Sequence, residues 1–105
     1  MEALNRFLRY VSIDTQSDPN STTAPSSSNQ FELAKLLVKE LKELGVDKVE
    51  LSDECVVYAW LDANTEGVDP IGLIAHMDTS SDASGKNVKP SVVHFTGEDI
   101  VLNKE

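Results

Sequence analysis

Five apolar or small residues, Ile71-Gly72-Leu73-Ile74-Ala75, run without a break into His76-Met77-Asp78. A run of that length predicts a strand buried on both faces, in a sheet that helices cover. In α/β sheets ligands gather beyond the carboxyl ends of the strands, which is where this geometry puts His76 and Asp78. Side chains alternate along an extended chain, so residues 76 and 78 face the same way and the carboxylate can reach the ring. A metal-binding histidine commonly hands one ring N–H to a carboxylate or carbonyl, which fixes its tautomer and aims the other nitrogen. A histidine that merely closes a strand end by bonding to Asp78 has the same spacing. The triplet alone does not separate the two.

Size and charge limit what such a site can serve. The chain has 105 residues, room for one small domain, and 40% of them are hydrophobic, enough for a core. A formal net charge of −9 argues against nucleic acid or an anionic membrane as partner, since both need clustered Lys and Arg. No apolar run approaches the roughly 18 residues of a membrane span. The start, Met1-Glu-Ala-Leu-Asn-Arg6, lacks the pattern of a signal peptide. The single cysteine, Cys55, has no internal disulfide partner and sits in an apolar stretch. It is expected to be a small buried hydrophobe in a reducing compartment, which makes the cytoplasm the expected location.

Taken in order, Glu2 to Val11 places Ala3, Leu4, Phe7, Leu8 and Val11 at helical spacing. Ser12 to Gln30 holds Pro19, Pro25 and many Ser, Thr and Asn residues, and predicts a long surface loop within one domain. Ser27 and Gln30 have the spacing of a capping box, with Ser28 or Asn29 as other caps. Leu33, Ala34, Leu37, Val38, Leu41 and Leu44 then line one face of an amphipathic helix, and Gly45 stands where a left-handed C-terminal cap is wanted. Lys48 to Leu51 and Cys55 to Leu61 predict strands. Asp62 to Pro70 is a loop short enough to make the Cys55 and Ile71 strands antiparallel neighbours. Val92 to Phe95 and Ile100 to Leu102 suggest two further short strands.

Three chemistries compete for residues 75–87. Ser80-x-x-x-x-Gly85-Lys86-Asn87 has the spacing of a phosphate-binding loop, but Ser80 replaces the turning glycine and Asn87 the hydroxyl that holds magnesium. Ser84 lies two residues from Lys86, with no oxyanion hole and no helix-borne Ser-x-x-Lys to make it a nucleophile. A metal site with His76 as ligand and Asp78 behind it is the third. His94 falls in a strand-like stretch where an exposed polar face explains it.

The block His76-Met-Asp78-Thr79-Ser80-x-Asp82-x-Ser84-Gly85-Lys86-Asn87-Val88-x-Pro90 resembles the peptidase T family, the tripeptide aminopeptidase branch of the dinuclear zinc exopeptidases. Arg6-Phe-Leu-Arg-Tyr-Val-Ser12-Ile-Asp14-Thr15-Gln-Ser17 is similar to the same family's first helix and following loop. The resemblance implies that His76 is a zinc ligand and that Asp78 is the catalytic-site aspartate bracing its imidazole. It also implies two zinc ions, a bridging aspartate, a glutamate base and a tripeptide substrate. Those further groups are not identifiable here. Residues 1–105 are therefore expected to be the N-terminal portion of a single catalytic domain, without the helical insert that mediates dimerisation. The implied fold class is α/β, two helices on a small mixed β-sheet. Alone, such a chain is expected neither to bind zinc tightly nor to hydrolyse peptides, and to self-associate through an exposed sheet edge or apolar face. A related metallo-carboxypeptidase or amide deacylase is the nearest alternative, and a non-catalytic interaction module the alternative from another class.

Overall fold

The computed structural model describes residues 2–102. Helix α1 (Glu2–Tyr10) and helix α2 (Gln30–Glu43) precede strands β1 (Lys48–Leu51) and β2 (Val57–Trp60). This is an α/β arrangement of two helices and a small sheet. Among the described residues Leu33 and Ala34 of α2, together with Cys55, are the buried apolar ones, so the core lies between α2 and the sheet.

α2 ends as its sequence requires. Gly45, at φ +89°, donates its N–H to Lys42 O, and Val46 donates to Leu41 O. The left-handed glycine thereby turns two orphan carbonyls into acceptors, which is the Schellman arrangement. At the other end the predicted capping box does not form. Asn29 occupies the cap position in a helical conformation with no side-chain cap bond. Its Nδ2 donates instead to Asp14 O at 2.9 Å, so the side chain that would cap the helix fastens the long loop to it.

β1 and β2 pair antiparallel, with Lys48 opposite Trp60 and Leu51 opposite Val57. Val49, Leu51 and Val57 are half-buried, whereas Glu50, Tyr58 and Trp60 are exposed. Tyr58 and Trp60, two apart on one strand, stack with ring centroids 5.9 Å apart, which makes Trp60 a packing residue of the outer face. Cys55, at φ +65°, lies in the tight connection where Ser52 N–H bonds to Val56 O.

The expected strand at Ile71 to Ala75 is not formed. Ile71, Leu73 and Ile74 are 89%, 95% and 100% exposed, and the segment has no ladder to β2. A strand apolar on both faces needs a layer on each side and a neighbour to bond; among the described residues nothing supplies either. Val92 to Phe95 and Ile100 to Leu102 are likewise irregular and exposed. Among the described residues β2 therefore pairs only with β1, and the edge expected to receive the Ile71 strand has no partner strand. Among the described residues the single parallel pairing is an isolated bridge between Gln16 and Thr79. Among the described residues no helix is long and apolar enough to cross a membrane.

Candidate functional site

His76 and Asp78 are brought together without any strand to align them. His76 Nδ1 lies 2.8 Å from Asp78 O and 3.1 Å from Asp78 Oδ1. Both partners are acceptors, so Nδ1 carries the hydrogen and Nε2 keeps its lone pair. The His76 side chain is 84% exposed and that of Asp78 45%. So exposed a pair adds little to stability; what it does is hold the ring in one tautomer and one orientation.

The backbone beyond Asp78 is anchored to the loop after α1. Thr79 N–H donates to Thr15 O at 3.1 Å, and Ser17 N–H donates to Thr79 O at 2.9 Å. Ser17 Oγ donates to the same carbonyl at 3.0 Å. Thr15 is buried, so the strap that receives Thr79 is one of the firmer parts of the long Ser/Thr-rich segment. That segment is not structureless: Asp18 N–H bonds to Ser26 Oγ and Asn29 closes it against Asp14.

On the other side, a cleft of about 550 Å³ opens from the pair, lined among others by Tyr10, Leu37, Glu40, Cys55, His76 and Asp78. Its wall carries a cluster that sequence reading missed. Glu40 is buried and accepts bonds from Arg6 (2.8 Å), Arg9 and the Tyr10 hydroxyl. The Tyr10 and Arg9 bonds hold the Glu40 carboxyl below its usual range, against the opposing effect of burial. Burial and the Glu40 bond push the Tyr10 phenol upward. The signal was the Leu33, Leu37, Glu40, Leu44 spacing, which sets an acid on the apolar stripe of α2. Burial likewise pushes the Cys55 thiol up, which keeps it protonated and a poor ligand.

Chemically, the residues fit one corner of a metal centre. His76 offers a braced imidazole nitrogen and Asp78 its orienting carboxylate. Among the described residues no group of three or more His, Cys, Asp or Glu side chains could hold a metal ion. His94 is exposed in an irregular stretch. The phosphate-loop alternative loses its helix, since nothing helical follows Asn87 among the described residues.

No family model matches the chain. Peptidase T of Clostridium acetobutylicum is 53% identical over 106 residues, which take in 99% of this chain and 26% of that protein. Peptidase T of Geobacillus kaustophilus is 51% identical, again over 99% of this chain and 26% of the relative. The chain resembles peptidase T. Peptidase T of Parabacteroides distasonis, at 49% identity, takes in 100% of the chain. The peptidase T likeness thus runs through both helices, the strap and the His76 block. The chain spans about a quarter of the length of the curated relatives it matches.

Proposed function

We propose that residues 1–105 are the N-terminal portion of the single catalytic domain of a zinc aminopeptidase that releases the N-terminal residue from tripeptides. One observation carries this: in a chain similar to peptidase T, Asp78 accepts the Nδ1–H of His76 and leaves the Nε2 lone pair available at the mouth of a cleft. His76 is then a metal ligand, and Asp78 keeps its ring from turning. Two zinc ions, when bound in the longer protein, polarise a scissile carbonyl and lower the pKa of water. The contribution of this chain is geometric. Asp78 selects the tautomer, the Thr15–Ser17 strap fixes the backbone at Thr79, and Nε2 stays presented for coordination.

One imidazole does not make a zinc site, which needs three or four protein ligands. The isolated chain is therefore expected neither to bind zinc tightly nor to hydrolyse peptides. A cytoplasmic setting goes with this reading, because a lone buried thiol without a disulfide partner suits a reducing compartment. The uncovered Ile71–Ala75 run is proposed to make the isolated chain associate with itself.

The test uses the full-length protein and this chain side by side. The full-length protein is expected to release the N-terminal residue of tripeptides, to lose that activity to a chelator and to regain it with zinc. His76→Ala should reduce it by more than the roughly 10–100-fold that loss of an outer-shell partner produces. Calorimetric titration of this chain alone should show no submicromolar zinc binding. Chelator-resistant hydrolysis, or tight His76-dependent binding by the isolated chain, contradicts the proposal.

A further inference from the structure

Beyond Thr79 the loop carrying Ser80 to Lys86 is exposed over much of its length, and among the described residues one side chain makes its hydrogen bonds to the rest of the molecule. Gln16 Nε2–H donates to Ser81 O at 3.3 Å, while Gln16 Oε1 accepts the Gly85 N–H at 3.1 Å. A carbonyl can only accept and an N–H can only donate, so these two partners allow the amide a single orientation. Within the loop the bonds are local: Ser80 Oγ to Asp82 Oδ2, Asp82 N–H to Ser80 Oγ, and Lys86 N–H to Ser84 Oγ. Among the described residues, the only hydrogen bonds from Ser80–Lys86 to other parts of the chain are the two made by Gln16.

Gln16 is itself held. Its N–H donates to Asp14 Oδ1 at 3.0 Å, and its backbone bridges to Thr79. The loop is also pressed onto this strap: a Cβ on Gly85 would stand 2.5 Å from Asp14 Oδ1 and 3.3 Å from Gln16 Cβ. One side chain thus spans from Ser81 on the near limb of the loop to Gly85 on the far limb, with the strap behind it.

The geometry points to Gln16 as a positioning residue for the His76–Asp78 pair, clamping the loop that leaves Asp78 so that its carboxylate stays on Nδ1 and Nε2 stays aimed outward. This rests on the metallopeptidase reading above and adds a residue to it. Both the carbonyl and the carboxylate of Asp78 bond the ring, so any rotation of the backbone at 78–79 disturbs both contacts together. Thr79 is pinned on the near side by Thr15 and Ser17. Gln16 removes the remaining freedom on the far side.

The experiment compares the full-length parent with Gln16→Ala, Gln16→Glu and His76→Ala, measuring zinc affinity by competition with a chromogenic chelator. Gln16→Ala is expected to weaken zinc about tenfold, the low end for outer-shell losses, with a thermal midpoint within about 3 °C of the parent. At saturating zinc its KM for a tripeptide should stay within about twofold while kcat falls, as when an interaction of the transition state is lost. Gln16→Glu keeps the acceptor for Gly85 N–H and loses the donor to Ser81, so its affinity should lie between; it also carries the test should Gln16→Ala fail to fold. Zinc binding lost in His76→Ala but equal to the parent in both Gln16 variants overturns this role alone. Zinc binding that His76→Ala leaves unchanged overturns the metallopeptidase reading and this role with it.

Discussion

Gly85→Ala is a small substitution whose effect can be worked from two atoms. The added Cβ would stand 2.5 Å from Asp14 Oδ1, well inside the 3.4 Å at which ordinary contact begins. Gly85 does not lie in the left-handed region, so its backbone would accept alanine; the obstacle is the carboxylate alone. Asp14 Oδ1 is not free to swing aside, because it accepts the Gln16 N–H at 3.0 Å. Turning it away forfeits that bond, about 0.5–1.5 kcal/mol, and Gln16 Cβ at 3.3 Å must also give slightly. The alternative, leaving the carboxylate in place and shifting the loop, is overpacking of about 1–3 kcal/mol. The smaller route sets the outcome, about 1–2 kcal/mol, or a factor of roughly 5–30 in the open population of the loop. Amide exchange reads this directly: the Thr79 N–H, bonded to Thr15 O, should exchange faster by that factor, while amides in the middle of α2 keep their rates. Asp14→Ala in the same chain removes the obstacle, so Gly85→Ala on that background should have almost no effect, a coupling of about 1–2 kcal/mol. Equal acceleration with and without the Asp14 carboxylate would refute the reasoning, since the approach of Asp14 would then not be what excludes a side chain.

Two further outcomes follow from the same structure. The Glu40 carboxyl titrates below its ordinary value when folded, so its contribution to joining α1 and α2 is full above about pH 4.5 and is lost as pH falls through the lower folded value; the ring NMR signals of Tyr10 should report that loss, and Glu40→Gln should remove that transition from them. Ile74→Lys puts a charge into a fully exposed position, so it should leave the thermal stability of the isolated chain within about 0.5 kcal/mol while lowering its apparent mass in light scattering; a parent chain that is a clean monomer at high concentration removes the basis for proposed self-association.

How much of this was legible in the sequence depended on whether the deciding contact was local. α2 was legible because the period of its apolar stripe is written in consecutive residues and its C-terminal glycine closes the helix locally, Gly45 bonding to Lys42 and Val46 to Leu41. The capping box was not, because Asn29 found a partner 15 residues back at Asp14 instead. The Ile71 run carries the composition of a two-sided strand, but composition states what a segment needs and not whether a neighbour is present to provide it. Glu40 was not legible as a buried acid because its partners Arg6, Arg9 and Tyr10 sit 30 to 34 residues away on α1. Gln16 and Gly85 are further apart still, 69 residues, and nothing in either local pattern announces the other.

The His76–Asp78 contact belongs to the local class, and this has a consequence for the site. Alternation along a strand predicted that the two side chains would share a face, yet they meet here with no strand formed around them. The contact is therefore built from the chain between two neighbours: one ring nitrogen reaches a carbonyl and a carboxylate of the same residue two positions on. Such a contact does not wait for the sheet to be completed. What a two-residue contact cannot do is fix where the pair points, because it ties neither residue to the rest of the chain. That direction comes from the strap at Thr15 to Ser17 and from the Gln16 amide, both distant in sequence. The local pair sets which nitrogen is offered and the distant clamp sets the direction in which it is offered, so disturbing the clamp should weaken a metal held by His76 without changing its tautomer.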